Sequence, residues 1–265
     1  MLKLNKFPIG IFDSGVGGTS IWKEINTLLP LENTIYLSDS KNAPYGDKNK
    51  QEIIDLSIKN VEFLLKQHCK IIVVACNTAT TNAIKILREK YDIPFIGIEP
   101  AIKPAALQTK TNTIGILATK GTLNSDLFEK TSSAINKKIV KKEIVGKGLV
   151  DLIESGKLHS NEMTELLSSY IIPLMNENVD CLVLGCTHYP YLIPQIREIV
   201  GDKIQIIDSG EAVARQTKSI LEKHSLINTS SKNSSHKFYI NKDKKVLEIL
   251  ISNDRKNLKV IEEDF

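Results

Sequence analysis

Two cysteines in matching surroundings are the strongest candidates for chemistry in this chain of 265 residues. Cys76 follows the apolar residues 71–74, and Cys186 follows the apolar residues 181–184. Short apolar runs of this kind predict buried strands, so each thiol is expected at a strand end. Each cysteine is followed by two small or polar residues: Asn77 and Thr78 in the first case, Thr187 and His188 in the second. The pattern suggests two thiols that act on two sides of one small molecule.

Three other interpretations of these cysteines are open. Packing is common for a single buried cysteine, but matching positions in two similar segments make it less favoured here. Zinc binding by Cys76, Cys186 and His188 lacks the close-spaced cysteine pairs of most zinc sites. Nucleophilic catalysis by Cys186, with His188 as its base, leaves Cys76 and Asp13 without a role.

Proton transfer uses all of these residues. Inversion of a carbon centre requires one group to remove a proton from one face and another to deliver a proton to the opposite face. A thiolate and a thiol can do this, although a free thiol has a pKa of about 8.5 and needs help to ionise. Asp13 is the candidate proton acceptor for Cys76, and His188 with Glu154 are the candidates near Cys186. Because a nearby carboxylate raises the pKa of a thiol, these acids are expected to accept or orient protons.

A strand, a glycine-rich turn and a helix open the chain. Residues 8–12 are predicted as a strand, the turn carries Gly15, Gly17 and Gly18, and helical spacing begins at residue 21 and stops at Pro30. Backbone N–H groups at such a helix start suit an anion. The glycine spacing fits neither a dinucleotide fingerprint nor a phosphate-binding loop. The turn therefore predicts a carboxylate site.

The same order of parts restarts in the second half of the chain. Residues 113–117 resemble residues 8–12, and residues 118–122 take the place of the first turn. Alternating strands and helices favour parallel sheets. The sequence predicts an α/β fold of two similar α/β domains with mainly parallel sheets. Because ligands bind beyond the carboxyl ends of parallel strands, the active site is expected in the cleft between the domains.

Composition limits the function classes. The net charge of +4 is mild and the lysines are mostly dispersed, which disfavours nucleic-acid binding. No apolar run approaches the ~20 residues that span a bilayer, and the first residues do not resemble a signal peptide. A cytoplasmic protein with reduced thiols is expected. For the remaining cysteines, Cys69 and Cys181, packing is the interpretation.

Four motifs together resemble the glutamate racemases of the cofactor-independent aspartate/glutamate racemase superfamily. They are residues 11–18 (Ile-Phe-Asp-Ser-Gly-Val-Gly-Gly), 44–46 (Pro-Tyr-Gly), 75–78 (Ala-Cys-Asn-Thr) and 184–190 (Leu-Gly-Cys-Thr-His-Tyr-Pro). The resemblance extends over nearly the whole chain. It implies interconversion of L- and D-glutamate without a cofactor or metal, and D-glutamate for peptidoglycan synthesis. It also implies Cys76 and Cys186 as the two acid/base residues, with Cys186 removing the proton of L-glutamate.

The resemblance also implies the other site residues. Asp13, His188 and Glu154 are expected to assist catalysis, as is Asp39. The substrate-binding set is Asp13, Ser14, Pro44, Tyr45, Gly46, Cys76, Asn77, Thr78, Thr119, Thr122, Cys186, Thr187 and His188. The match of Glu154 is the weakest, because family members often have proline two or three residues earlier and this chain has Asp151 in that region.

Domains and partners follow from the same resemblance. The first domain is expected at residues 1–98 plus 209–265, the second at residues 99–208, and a homodimer is expected. The nearest alternative activity is aspartate racemisation, although the Cys-Asn-Thr and Cys-Thr-His runs favour glutamate. A catalytically silent regulator of DNA gyrase, an activity reported for some family members, is less favoured because nothing extends before the first strand.

Overall fold

The computed structural model describes residues 4–136, 138–230, 234–252 and 257–265. Two parallel sheets with helices around them make up the fold. Elements of the first sheet and its neighbours are β1 (Ile9–Asp13), α1 (Thr19–Leu28), β2 (Thr34–Ser38), α2 (Lys50–Lys66), β3 (Ile71–Val74), α3 (Asn77–Lys90) and β4 (Phe95–Gly97). The chain continues with α4 (Ile102–Gln108), β5 (Thr113–Ala118), α5 (Lys120–Leu123), α6 (Asp126–Ser133), β6 (Val140–Val145), α7 (Leu149–Glu154) and α8 (Asn161–Met175). The remaining elements are β7 (Cys181–Gly185), α9 (Ile193–Val200), β8 (Gln205–Ile207), α10 (Gly210–Lys223), β9 (His236–Ile240), α11 (Lys245–Leu250) and β10 (Leu258–Glu262).

The two sheets repeat one arrangement of strands. The first has the order β10-β9-β2-β1-β3-β4 and the second the order β6-β5-β7-β8. In the first sheet β1 pairs with β3, and in the second β5 pairs with β7, all in parallel. The cysteine-bearing strand is therefore the neighbour of the opening strand in both sheets. The predicted class, two α/β units with parallel sheets, is confirmed.

Burial on both faces explains why the central strands have continuous apolar sequences. All residues of β1, β3, β5 and β7 are buried, as expected for parallel strands covered on both faces. One continuous cluster of buried side chains contains residues from both sheets, among them Ile11 and Val73 of the first and Leu182 of the second. This shared core joins the sheets into one body of packed apolar side chains.

Two edge strands escaped prediction. The strand β6 contains Lys141, Lys142 and Glu143, and β10 has only partly buried apolar residues beside the exposed Lys259 and Glu262. Charges and partial exposure are typical of edge strands, which weakens the apolar signal. The next element, α7, begins after Gly148 at φ +84° and ends at Glu154.

The C-terminal part of the chain returns to the first sheet. The strand β9 pairs with β2, β10 pairs with β9, and α10 packs against α1. This return is consistent with the expected composition of the first domain, whose boundaries at residues 98 and 208 remain a prediction. Among the described residues, no helix has the length and apolar character needed to cross a membrane.

A buried ion pair fastens this C-terminal return to the first sheet. Lys70 Nζ donates to Glu32 Oε2 at 2.5 Å and to the carbonyl oxygens of Asn5 and Leu226 at 2.7 and 2.8 Å. We expect Lys70→Ala to lower the free energy of unfolding by about 3–5 kcal/mol, because Glu32 is left buried without its partner. Urea denaturation measures this effect.

The matched control for this prediction is Lys85→Ala. The Lys85 side chain is 88% exposed and pairs with Glu89 on the same helix face, so its loss should cost less than about 0.5 kcal/mol. Equal destabilisation by the two substitutions would contradict the assigned role of Lys70.

Candidate active site

The carboxyl edges of the two sheets lie against each other. Thr187, after β7, donates from Oγ1 to Asp13 Oδ1 at 3.3 Å, and Asp13 is the last residue of β1. Thr78 at the start of α3 shares a hydrogen bond of 2.8 Å with Thr119, which follows β5. Residues predicted on separate strand ends are thus brought together between the two sheets. This agrees with a site in a cleft between the two sheets.

The glycine-rich turn after β1 binds the chain's own carboxylates. Asp13 Oδ2 accepts the N–H of Gly18 at 2.8 Å and that of Gly15 at 3.3 Å, and the Val16 N–H donates to Glu154 Oε1 at 2.6 Å. The turn does bind carboxylates, as predicted. The expectation that a ligand would supply that carboxylate is wrong for these three donors, because Asp13 and Glu154 already occupy them.

Glycine is required in this turn for close approach. A Cβ at position 15 would lie 1.9 Å from Glu154 Oε1, and one at position 17 would lie 2.3 Å from His188 Nδ1. Both distances are far shorter than a contact between non-bonded atoms. Gly15 and Gly17 therefore allow the Glu154 carboxylate and the His188 imidazole to approach the backbone of the turn after β1.

A hydrogen-bonded chain leads from Cys186 to Glu154. Cys186 Sγ lies 3.7 Å from His188 Nδ1, and His188 Nε2 lies 2.6 Å from Glu154 Oε1. All three residues are buried. Glu154 is the last residue of α7 and the predicted site residue with the weakest match to the family. In the structure its carboxylate is hydrogen-bonded to His188.

The charges of this chain stabilise each other. Burial alone would lower the pKa of His188, but its hydrogen bonds and charge interactions with Cys186 and Glu154 raise that pKa well above the usual 6.5. Burial alone would raise the pKa of Glu154, but His188, Ser40 and the Val16 N–H together bring it below 4.5. A protonated His188 beside an ionised Glu154 follows, and its positive charge adjoins the Cys186 sulfur.

Cys76 lies in a different environment. Its Sγ caps α3 by accepting the Ala79 N–H at 3.4 Å, and it lies 3.6 Å from Ser14 Oγ. Burial raises the pKa of this thiol, and the charge of Asp13 raises it further. The two cysteines are alike in position and unlike in their partners, since the described residues put an imidazole beside Cys186 only.

Burial makes the charge of Asp13 costly at neutral pH. Burial raises its pKa from 3.8 to about 6, while His188 and the Gly18 N–H only partly offset the effect. The native state therefore holds a proton that the unfolded state releases between pH 3.8 and 6, so this group lowers stability as pH rises through that window. The cost of this shift is about 3 kcal/mol above pH 6.

We therefore expect Asp13→Asn to remove this pH dependence. The amide oxygen can still accept the Gly18 N–H, and the amide nitrogen can donate to the Thr187 hydroxyl. The variant should gain up to about 3 kcal/mol relative to the native chain as pH rises from 4 to 7. Urea denaturation of both proteins across that range measures the difference, and parallel stability curves would contradict the burial of this charge.

Four of the predicted substrate-binding residues, Asn77, Thr78, Thr119 and Thr122, lie at the start of α3 and around α5. Thr78, Thr119 and Thr122 join their hydroxyls at 2.8 to 3.2 Å in a cluster between α3 and α5. Asn77 is 3% exposed, and neither its amide oxygen nor its amide nitrogen has a hydrogen-bond partner within the described structure. An unpaired buried polar atom costs about 1–3 kcal/mol, so the two amide atoms of Asn77 are unusual within the described structure.

The loop of Pro44, Tyr45 and Gly46 is held in place by Asp39. The Tyr45 hydroxyl donates to Asp39 Oδ2 at 2.5 Å, and Asp39 Oδ1 accepts from Asn42 at 2.8 Å. Gly46 packs so closely on Thr119 that a Cβ there would lie 2.8 Å from the threonine Cβ. The further partners of Asp39 Oδ1 are Lys59 and Asn241.

These contacts give Asp39 a structural role. The described structure shows no hydrogen bond from its carboxylate to either thiol. Its bonds support the loop and connect it to Asn241 after β9. The expected assistance of Asp39 to the chemistry stays a prediction.

Sequence reasoning missed one polar residue of the site. Ser40 Oγ donates to Glu154 Oε2 at 2.7 Å although 114 positions separate them. Its only sequence signal is its place two residues beyond the end of β2, where ligand-facing residues of parallel sheets collect.

A zinc site was one of the open alternatives. Across residues 4–136, 138–230, 234–252 and 257–265, no three His, Cys, Asp or Glu side chains are arranged to hold a metal ion. The described geometry therefore gives no support to the alternative with Cys76, Cys186 and His188 as zinc ligands.

Comparison with known proteins places the chain in a family. A model of the Asp/Glu/hydantoin racemases matches residues 16–217. The chain is 47% identical over 208 residues to a glutamate racemase of Ralstonia pickettii (strain 12J), covering 78% of this chain and 74% of that protein. The chain belongs to the Asp/Glu/hydantoin racemase family. The predicted resemblance and the prediction of an amino-acid racemase, an isomerase, are confirmed.

Solved racemase structures agree with this fold. A glutamate racemase of Bacillus anthracis superposes with a TM-score of 0.86 at 31% identity and 97% coverage of both chains. One from Francisella tularensis, solved in complex with D-glutamate, has a TM-score of 0.84 at 29% identity and 98% coverage of both chains. The racemase fold thus extends over nearly the whole chain, including the two edge strands that its sequence did not reveal.

Proposed function

We propose that this racemase interconverts L- and D-glutamate without a cofactor, and that Cys76 and Cys186 are its two acid/base residues. The observation that carries the proposal is the inequality of the two thiols at matching strand ends. Cys186 lies beside the paired His188 and Glu154, whereas burial and Asp13 favour the neutral thiol of Cys76. A resting state with one thiolate and one thiol is what proton removal and proton delivery require.

Each turnover then removes one proton from the substrate and delivers a different proton to its opposite face. The Cys186 thiolate removes the α-proton of L-glutamate: an S–H bond forms, the C–H bond breaks, and the electron pair remains on the substrate. The Cys76 thiol donates its proton to the opposite face and becomes the thiolate. The product is D-glutamate, and the reverse reaction starts from this second protonation state.

The polar groups around the thiols suit an amino acid with two carboxylates. The unpartnered Asn77 amide offers a donor and an acceptor, and the carboxylate of Asp13 suits an ammonium group. The hydroxyl cluster of Thr78, Thr119 and Thr122 offers donors to a side-chain carboxylate. Ser14, Pro44, Tyr45, Gly46, Thr187 and His188 complete the proposed binding set.

Relatives support glutamate as the substrate. The matched protein of Ralstonia pickettii is a glutamate racemase, and the Francisella tularensis structure contains D-glutamate. D-glutamate made by this reaction would enter peptidoglycan synthesis. The cytoplasmic location and the homodimer remain predictions that belong with this proposal.

Incubation with L-glutamate in deuterated water tests the proposal. Circular dichroism follows loss of optical activity and mass spectrometry follows deuterium uptake at the α-carbon, both without added pyridoxal phosphate or metal. We expect both signals with glutamate and much slower ones with aspartate. Faster turnover of aspartate would overturn the substrate assignment, and dependence on an added cofactor would overturn the mechanism.

A further inference from the structure

We propose that Ser40 is a positioning residue for Cys186, acting through Glu154 and His188. The inference rests on the proposed function, because it concerns the thiol that we assign as the base for L-glutamate. Ser40 touches neither thiol by a hydrogen bond in the described structure. Its hydroxyl instead completes the set of donors around the carboxylate that orients His188.

The Glu154 carboxylate is held from three directions. Oε1 accepts the Val16 N–H at 2.6 Å and lies 2.6 Å from His188 Nε2, and Oε2 accepts the Ser40 hydroxyl at 2.7 Å. Val16 and Ser40 follow strands of the first sheet, whereas His188 follows a strand of the second. The carboxylate of Glu154 keeps its orientation toward His188 only while both of its oxygens are hydrogen-bonded. Among the described residues, Ser40 is the hydrogen-bond partner of Oε2.

The hydroxyls of Ser38 and Ser40 extend the hydrogen-bonded chain that ends at Glu154, and each hydroxyl can donate only one proton along it. Ser38 Oγ lies 3.0 Å from Ser40 Oγ, and both residues are buried. A serine hydroxyl has one proton to donate. Because Ser40 gives its proton to Glu154, it must accept from Ser38, so the chain is polarised toward the carboxylate. Hydrogen bonds to ionised groups are the strong ones, and this one favours the ionised form of Glu154.

Loss of the Ser40 hydroxyl affects Cys186 through the proton that His188 and Glu154 share. Without Ser40, Glu154 becomes more basic and draws the proton away from His188. A neutral His188 then offers no positive charge to the Cys186 thiolate. The other titratable groups around this chain belong to β1, β2, the segment after β3 and the segment after β7; they are Asp13, Tyr36, Cys76 and Tyr189.

Peptide-resolved alkylation tests the proposal without relying on turnover. Iodoacetamide labelling of Cys186 as a function of pH is measured by mass spectrometry in the native chain and in Ser40→Ala. A hydrogen bond to a charged group shifts the acceptor's pKa by about one to two units. We expect about half of this at Cys186, so its labelling midpoint should rise by about 0.5–1 pH unit. The acidic limb of kcat/KM should move by a similar amount.

Three variants separate positioning from folding. Ser40→Thr keeps the hydroxyl and should restore the native midpoint, whereas Ser38→Ala should raise it by a smaller amount. Ser57→Ala removes a buried hydroxyl that bonds the Ile53 carbonyl in α2, and it should change neither readout. An unchanged midpoint in both Ser40→Ala and Ser38→Ala overturns the proposal, as does an equal shift in Ser40→Thr. If the native chain failed to racemise glutamate, the proposed function would fall, and the labelling midpoints would still decide the role of Ser40.

Discussion

Replacement of either Cys76 or Cys186 by alanine is expected to lower kcat/KM for glutamate racemisation by about 10²–10⁴-fold. The loss must be equal for L- and D-glutamate in each variant. The two enantiomers have equal free energies in water, so the equilibrium constant is one and kcat/KM is the same in both directions. Chiral chromatography of the products measures both rates.

Deuterium exchange distinguishes the two cysteines where racemisation rates do not. In Cys186→Ala, the remaining Cys76 can still remove and return the α-proton of D-glutamate, so exchange without inversion is expected for that enantiomer. In Cys76→Ala, exchange is expected for L-glutamate. The opposite assignment of enantiomers would reverse our roles for the two thiols. Full racemisation in both variants would exclude the two-thiol mechanism.

A matched control is available in the same strand as Cys186. Cys181 is a buried cysteine at the first residue of β7, at the opposite end of this strand from Cys186. Cys181→Ala removes a thiol of similar burial, and we expect kcat/KM within about twofold of the native value. A comparable loss in this control would assign the effect of the other substitutions to packing.

Replacement of Glu154 by glutamine is expected to lower kcat about 100-fold and the free energy of unfolding by about 2 kcal/mol. The activity loss follows because a glutamine carries no negative charge to keep His188 protonated, as the carboxylate does in other catalytic chains of nucleophile, imidazole and carboxylate. The stability loss follows because the ion pair with His188 and the charge-assisted bonds from Ser40 and Val16 are weakened.

The pH dependence of this variant provides a second readout. Since the folded pKa of His188 is raised, its stabilisation is present below 6.5 and is lost as pH rises through the folded value. Since the folded pKa of Glu154 is lowered, its stabilisation is present above 4.5 and is lost as pH falls through the folded value. The pair therefore stabilises the native chain fully between about pH 4.5 and 6.5, and Glu154→Gln should lose most stability in that window.

Urea denaturation at several pH values and initial-rate kinetics measure these effects. The control is Glu162→Gln in α8, whose side chain is 61% exposed and pairs with Lys157 at 3.1 Å. We expect that control to change stability by less than about 1 kcal/mol and to leave kcat unchanged. Native activity in Glu154→Gln would show that the carboxylate does not serve the imidazole.

The candidate catalytic residues could be recognised from the sequence because they follow apolar strands. Cys76 and Cys186 lie just beyond runs whose burial the structure confirms, and each is followed by two small or polar residues. The repeat of strand and turn predicted two parallel sheets, since alternating strands and helices leave few other arrangements. Local patterning was weak at the edges, where β6 and β10 carry charged residues.

Partnerships across the two sheets required the tertiary structure. No local pattern connects Glu154 with Val16, 138 positions away, or with Ser40. The glycine-rich turn was correctly expected to bind a carboxylate, but only the packed structure shows that Asp13 and Glu154 provide it. Similarly, the acid at position 39 was matched to catalysis, and the fold places it beneath the Tyr45 loop.

The sequence by itself determined the kind of protein and the two thiols, because strand periodicity and the residues at strand ends are local properties of a chain. Only the tertiary structure decided how the thiols differ. The charge state of His188 and the burial of Asp13 depend on groups brought together from distant segments, and on the water that packing excludes. Equivalent positions in a repeated fold therefore acquire unequal surroundings, which the proposed two-thiol mechanism requires.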